Sequence, residues 1–416
     1  MLSRHRSQLS QTLLRRLLRR SRHKALNPLR FKARSREGSG LGPFLTMIGQ
    51  MRVAIIGQGY VGLTITEGAI RAGHQVLGID ANPNVVANLN SGISHVEGVP
   101  NESIAEGISL GRFKASADFS LISGTDIVVI AVPTPLDLDD KPDLAMLKSA
   151  CESIAPYLGP QTLVINESTS FIGTLRNFIE PSVRKINSAV RMFAVSPERV
   201  DPGNVTFGVR NTPRLVGGVN EESTEKAISF YSTFCEKVVR VSSPEVAEAS
   251  KLLENTFRFI NIGFINEFSV LMNAMKIPVS EVISAASSKP YGFMNFFPNI
   301  GIGGHCIPVD PLYLQKNAIE SGITNRFISL AEDMNKVMPK YCVNRLEEIH
   351  GSLRDKSILL IGVSYKPNIS DTRETPAEHV IEELKLKGAK VFWHDSLVKS
   401  FMGEGSSSVA GKYDLA

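Results

Sequence analysis

From Met51 onward the chain alternates short apolar runs with stretches of helical pattern. Arg52-Val-Ala-Ile-Ile56, Gln75-Val-Leu-Gly-Ile79, Asp126-Ile-Val-Val-Ile-Ala-Val132, Thr162-Leu-Val-Ile-Asn166 and Met192-Phe-Ala-Val195 are rich in Val and Ile. They read as strands buried on both faces. A helical pattern follows the first of them to about Ala72. Strands alternating with helices predict an α/β fold around a mostly parallel sheet. After Pro244 no proline occurs until past Lys276, and the apolar positions Val246, Leu252, Leu253, Phe257, Ile260, Phe264, Ile265, Phe268 and Leu271 recur at helical spacing. A helix of roughly thirty residues, about 45 Å long, is predicted there. It is long enough to brace two domains and to offer a surface for dimerisation. A second helical stretch covers about Asn325 to His350, and Ser357-Ile-Leu-Leu-Ile-Gly362 opens a further strand-first unit.

The first strand runs straight into Gly57-Gln-Gly59-Tyr60-Val61-Gly62, and the second ends in Asp80. Strand, GxGxxG, helix, strand and acid, in that order, describe a dinucleotide-binding Rossmann unit. Gly57 permits the tight turn, Gly59 lets the pyrophosphate come close, and Gly62 lets helix and strand pack. A carboxylate at Asp80 accepts from the ribose hydroxyls and repels a 2′-phosphate, and Ala81-Asn82-Pro83 offers no arginine, so NAD is expected over NADP. Val132-Pro133-Thr134-Pro135 stops the third run at the carboxyl edge of the sheet. There it either borders the cofactor or makes a rigid strand exit. Glu167-Ser-Thr169 and Ser196-Pro-Glu198-Arg199 end two further runs at the same edge.

The chemistry concentrates in Asn299-Ile-Gly-Ile-Gly-Gly-His-Cys-Ile-Pro-Val-Asp-Pro311, where a glycine-rich run delivers Cys306 and, four residues later, Asp310. Such a loop can hold a nucleophile over a pocket with an acid or base beside it. A lone cysteine can equally be a small buried hydrophobe. Lys251 and Asn255 share one helix face, which is either an oxyanion-binding pair or a solvated surface.

Composition narrows the classes. With 43% hydrophobic and 21% charged residues the chain is that of a globular enzyme, and no apolar run is long enough to span a bilayer. Cys151, Cys235, Cys306 and Cys342 lack metal-type or paired spacing, so reduced thiols, no metal and a cytoplasmic setting are expected. The net charge of +5 is misleading, because residues 1–50 carry twelve Lys or Arg against Glu37 alone, leaving a net −6 for the rest. This extension is expected to be disordered. Its arginine-rich composition fits a transit peptide, a nucleic-acid or membrane-surface arm, or an upstream stretch without function.

The motifs together carry a resemblance. Gly57 to Gly62, Val132-Pro-Thr-Pro135, Glu167-Ser-Thr169, Ser196-Pro-Glu-Arg199, Ala249-Ser-Lys-Leu-Leu-Glu-Asn255, Gly303-Gly-His-Cys-Ile-Pro-Val-Asp310, Gly362-Val-Ser-Tyr-Lys-Pro-Asn368 and Asp371-Thr-Arg-Glu-Thr-Pro376 resemble, in order, the nucleotide-sugar 6-dehydrogenases. The resemblance implies a four-electron oxidation at C6 of a UDP-sugar with two NAD. Cys306 would form a thiohemiacetal and then a thioester. Lys251 and Asn255 would hold the oxyanions, Glu198 and Asp310 would move protons, and Thr169 would orient water or the alcohol. Arg199, Lys251, Asn255, Tyr291, Gly303, Lys366 and Arg373 would contact the substrate, although Lys366 and Arg373 also fit a surface salt-bridge network. Lys289-Pro-Tyr-Gly-Phe-Met-Asn-Phe296 is most similar to UDP-N-acetylglucosamine 6-dehydrogenases, with the mannosamine epimer and UDP-glucose as alternatives.

The implied organisation is an NAD-binding Rossmann-like domain over 51–243, a central helical domain with the cysteine loop over 244–350, and a UDP-binding Rossmann-like domain over 351–416. The resembled family would run on through another strand and helix past Tyr413-Asp-Leu-Ala416, so this last domain is expected to be truncated, with an open sheet edge and weakened nucleotide affinity. A homodimer through the central helix is expected, and nucleic acid is not an expected partner of the folded body. Two competing readings are a two-electron hydroxyacid or 6-phosphogluconate type dehydrogenase, which leaves Cys306 unexplained, and a catalytically impaired NAD-binding protein.

Overall fold

An eight-stranded sheet carries the first half of the chain. Its strands are β1 (Arg52–Ile56), β2 (Gln75–Ile79), β3 (Phe113–Ser116), β4 (Ile127–Ile130), β5 (Leu163–Asn166), β6 (Met192–Val195), β7 (Arg214–Gly218) and β8 (Val238–Arg240). The computed structural model describes residues 49–416 apart from 138–141, 201–203 and 205. The basic extension therefore lies, but for its last two residues, outside the described residues.

The strand order is β3-β2-β1-β4-β5-β6-β7-β8, and every neighbouring pair is parallel except β6 and β7. Because β1 pairs β2 on one side (Val53 with Val76) and β4 on the other (Ala54 with Val128), the winding reverses at β1 and opens a crevice at the carboxyl ends of β1 and β4. Both faces of the sheet are covered: Val53 and Ile55 pack into one apolar layer, Ala54 and Ile56 into the other. That explains the unbroken apolar runs. The third run forms strand only over Ile127–Ile130, since Ala131 makes the last ladder bond to Ile56 (2.8 Å) before Pro133. β3, β7 and β8 were not predicted; β7 turns antiparallel at the far side of the sheet.

The long helix spans Pro244–Ala274, started by Ser243, whose side chain accepts the Val246 N–H. Its single glycine, Gly263, is a packing site: a Cβ there would lie 2.9 Å from Ala331 in the helix Arg326–His350. That second helix also packs on the helix Pro376–Leu386 of the C-terminal unit. There β9 (Ser357–Ile361) and β10 (Lys390–His394) pair in parallel over a small core of Val363, Ile381, Trp393 and Phe401. The other side of β9 meets Leu415 in a single bridge to Ile358. Among the described residues no helix is long and apolar enough to cross a membrane.

Candidate active site

At the switch point β1 runs out into Gly57, whose φ of +88° and close approach to Ala131 (a Cβ would sit 2.6 Å from its carbonyl oxygen) leave no room for a side chain. Gly62 is equally constrained, since a Cβ there would lie 1.8 Å from the Gly57 carbonyl oxygen. Gly59, by contrast, has open space around it, and it caps the helix Tyr60–Arg71 without a side-chain hydrogen bond. The positive end of that helix thus opens on the cleft with nothing bulky in front of it. Asp80, at the end of β2, accepts the backbone N–H of Gln58 and of Asn82, each at 2.8 Å, so its carboxylate is held in place at the rim.

A cleft of about 970 Å³ runs from this point to the cysteine loop. Gly57, Gly59, Tyr60, Val61 and Asp80 line one end, and Val132, Pro133, Thr134 and Thr169 line its middle. Glu198, Lys251, Cys306, Asp310 and Arg373 line the other end. Three hydrogen bonds stitch the middle together. Ser168 Oγ donates to the Val132 carbonyl (2.7 Å), Thr134 Oγ1 to the Thr169 carbonyl (2.5 Å), and Tyr313 Oη to the Thr134 carbonyl (2.8 Å).

Cys306 and Asp310 are one turn apart, the Asp310 N–H donating to the Cys306 carbonyl at 2.9 Å. Asp310 and Pro311 open the helix Asp310–Glu320, a position that suits both an acid and a proline. Burial pushes the Cys306 thiol up to about 11, reinforced by Asp310 and opposed by Lys251 and Arg373. Burial likewise pushes Asp310 up to about 6, against the pull of Lys251 and of the Asn255 amide, which donates to its Oδ2. The resting site therefore pairs a neutral thiol with a carboxylate poised near neutrality, and it can carry nucleophilic addition to a carbonyl with transfer of a proton.

Against this geometry the likeness to known proteins is informative. Residues 51–235 match the NAD binding domain of the UDP-glucose/GDP-mannose dehydrogenase family, 245–337 its central domain and 359–411 its UDP binding domain. The chain is 32% identical over 358 residues to a UDP-N-acetyl-D-mannosamine dehydrogenase of Pyrococcus horikoshii, covering 84% of each chain. It belongs to this family. An NDP-N-acetyl-D-galactosaminuronic acid dehydrogenase of Ralstonia nicotianae is 32% identical over 345 residues, covering 80% of this chain and 79% of the other. A UDP-glucose dehydrogenase structure from Pyrobaculum islandicum superposes with a TM-score of 0.80 at 27% identity, covering 86% of this chain and 84% of that one.

The chain is thus an NAD-dependent UDP-sugar dehydrogenase, and the residues at the glycine turn fit NAD. The cradle at Gly57 and Gly59 admits a backbone-hugging pyrophosphate, and Asp80 stands where the ribose hydroxyls would be held.

The predicted substrate residues separate into two groups. Lys251 and Asn255 are buried and not on a solvated helix face, but only Lys251 reaches the cleft wall; Asn255 stands behind Asp310. Arg373 borders the cleft and pairs with Asp371, its backbone carbonyl accepting the Gly304 N–H at 3.0 Å. Arg199 lies outside the wall: it grips Glu254 (3.1 and 2.7 Å) and the Pro213 carbonyl (2.6 Å). Tyr291 is 72% exposed under the Lys289 ammonium, and Lys366 is half-buried away from the cleft. Gly303 serves packing: a Cβ there would meet the Glu374 carbonyl oxygen at 2.5 Å, and one at Gly304 the Tyr365 ring at 2.7 Å. These glycines let the C-terminal unit close on the cysteine loop.

Three residues escaped the sequence reading. His305, beside the cysteine, has a buried Nδ1 without a hydrogen-bond partner among the described residues, and burial, with Arg373 second, pulls its imidazole down to about 4. Arg214, the first residue of β7, donates to Glu167 (2.6 Å) and to Glu198 (2.8 Å). Removing one partner of such a buried ion pair costs about 3–5 kcal/mol. Glu248 accepts the N–H groups of Gly173 (2.6 Å) and Leu175 (2.9 Å), tying the Thr169 loop to the long helix. The apolar run Arg214-Leu-Val-Gly-Gly218 was the available signal for β7, but nothing adjacent in sequence marked the partners of its arginine.

Proposed function

We propose that the protein oxidises the C6 hydroxymethyl group of a UDP-N-acetylhexosamine to the carboxylate, with UDP-N-acetyl-D-mannosamine ahead of the UDP-N-acetylglucosamine suggested by the 289–296 loop. The observation that carries the four-electron reading is the placement of Cys306 in the wall of the same cleft as Gly57 and Asp80. A two-electron dehydrogenase has no use for a thiol there. The Pyrococcus relative, named for N-acetyl-mannosamine, supports the choice of sugar.

NAD, when bound, supplies the electron acceptor for both oxidations. The chain's own groups do the rest. At the aldehyde stage the Cys306 sulfur bonds to the carbonyl carbon and its proton leaves; Asp310, poised near 6, takes it. Asn255 orients Asp310 by its amide, and Lys251 faces the oxygen that gains charge. In the release step water adds to the thioester carbon, the carbon–sulfur bond breaks and the thiol is restored. Glu198 and the Thr169 loop hold that water. Arg373, on the C-terminal unit, meets the anionic part of the substrate.

The functional unit is a homodimer through the long helix. Leu253, Phe257, Phe264 and Leu271 are 65, 43, 62 and 53% exposed, and their spacing of four and seven residues sets them along one stripe.

Comparing kcat/KM for UDP-N-acetylmannosamine, UDP-N-acetylglucosamine and UDP-glucose with NAD tests the substrate. The expected order puts the mannosamine epimer first by about tenfold or more. UDP-glucose as the best substrate would remove the acetamido sugar from the reading.

A further inference from the structure

Behind Glu198 lies a cluster of four buried polar side chains: Glu167 (1% exposed), Glu198 (7%), Arg214 (4%) and Tyr231 (0%). One guanidinium serves two carboxylates, Nη1 donating to Glu167 Oε2 at 2.6 Å and Nη2 to Glu198 Oε2 at 2.8 Å. The carboxylates are otherwise held differently. Glu198 Oε1 accepts the backbone N–H groups of Arg199 (2.7 Å) and Val200 (2.6 Å). Among the described residues Glu167 Oε1 meets only the Tyr231 hydroxyl, which can accept a hydrogen bond from a proton held on Glu167 while turning its own to Ser196, and the Tyr231 ring lies 4.8 Å from the guanidinium carbon. With both carboxylates ionised one guanidinium would face two negative charges, and the one closed off from water and from Lys251, at Glu167, is the one a proton neutralises most readily. Glu167 has fewer N–H donors and is the more deeply buried.

We propose that Arg214 is a positioning residue for Glu198, and that the two carboxylates share one proton at neutral pH, seated on Glu167, so that Glu198 faces the cleft as the anion. The surroundings agree from every side. Burial raises Glu167 to about 7 against the pull of Arg214 on β7, with Glu198 adding to the rise. Burial acts on Glu198 too, but Arg214, the Val200 N–H and Lys251 of the long helix outweigh it and hold Glu198 below the ordinary carboxylate range. Tyr231, on the helix Glu221–Tyr231, and Cys235 beyond it are kept neutral: burial raises both, the thiol to about 11. The part of the proposal that concerns Glu198 as a working anion rests on the reaction assigned above; the placement of the proton does not.

The test uses the full chain and needs no substrate. Glu167→Gln reproduces the shape of the neutral acid. A carboxyl whose value is raised in the folded state favours folding while protonated and costs stability as pH rises through its folded value. The thermal midpoint of Glu167→Gln minus that of wild type is therefore expected to increase from about pH 4.5 to about pH 7 and to level off above it. A difference that falls with pH, as it would if Glu167 were held ionised, overturns the proposal. So does a flat one, and so does failure of Glu167→Gln to fold where wild type folds.

The positioning role is read separately with UDP-sugar and NAD. Arg214→Lys should lose about tenfold in kcat and Arg214→Met about a hundredfold, with KM for NAD held within about twofold. Equal losses in the two variants, or a parallel rise in KM for NAD, contradict it. A wild-type chain that turns over no UDP-sugar sinks the function while the thermal experiment still decides the proton.

Discussion

At the cofactor end of the cleft the glycine turn, the helix N-terminus and the acid come from one continuous stretch, Gly57 to Asp80, and the cradle is made of backbone groups that glycine exposes. At the catalytic end Glu198, Lys251, Asp310 and Arg373 arrive from four separated parts of the chain, and each lies beside a group of opposite charge: Glu198 beside Arg214, Lys251 beside Asp310, Arg373 beside Asp371. The first end is fixed by local conformation, where adding a methyl group is the damaging change. The second is fixed by electrostatics, where removing a charge is. A glycine turn keeps its shape at any pH, whereas a site of buried carboxylates does not.

That contrast can be broken most severely at Cys306. Cys306→Ala is expected to lower NADH production from the UDP-sugar by about a thousandfold or more while leaving NAD affinity within about twofold, since the thiol serves only the catalytic end. Steady-state rates with NAD titration check it.

Asp310→Asn comes next, with a loss of about a hundredfold in kcat. The wild-type pH profile sharpens this. Asp310 sits at about 6, so kcat should fall as pH drops through that value and the limb should be absent from the variant. Stability moves the other way, because a raised carboxylate costs folding free energy as it ionises.

Gly57→Ala probes the cofactor end. The strained φ of +88° and the 2.6 Å approach to the Ala131 carbonyl oxygen predict a loss of about tenfold or more in NAD affinity, independent of pH, measured by fluorescence titration. The smallest effect on chemistry belongs to Phe264→Glu, which places a charge in the exposed stripe of the long helix. It should convert a dimer to a monomer by light scattering while NAD binding persists.

Legibility in the sequence follows the same divide. Strand β1, the glycine turn and Asp80 could be read because they follow one another in the fixed order of a single strand–turn–helix–strand motif. The long helix was read from its spacing, and its exposed stripe of Leu253, Phe257 and Phe264 belongs to that same periodic pattern. The Glu167–Arg214–Glu198 cluster was not legible. Its partners lie 47 and 16 residues from the arginine, and β7, which brings them together, reverses direction after a run of parallel strands. Glycines misled in one place. Gly303 was read as a substrate contact, whereas the space beside its Cα is taken by Glu374 and Tyr365 of the C-terminal unit. Arg199 was read as a substrate contact, but its Nε and Nη2 serve Glu254 and its Nη1 the Pro213 carbonyl, contacts that only the folded chain reveals.

The central claim is that the two ends act twice on one sugar, with Cys306 retaining the half-oxidised carbon between turns. Counting NADH formed per UDP-N-acetylmannosamine consumed, in wild type and in Cys306→Ala, tests it directly. The account predicts two NADH per sugar and a uronic acid product in wild type, with no uronic acid from the variant. One NADH per sugar in wild type, or uronic acid formed without the thiol, would contradict it.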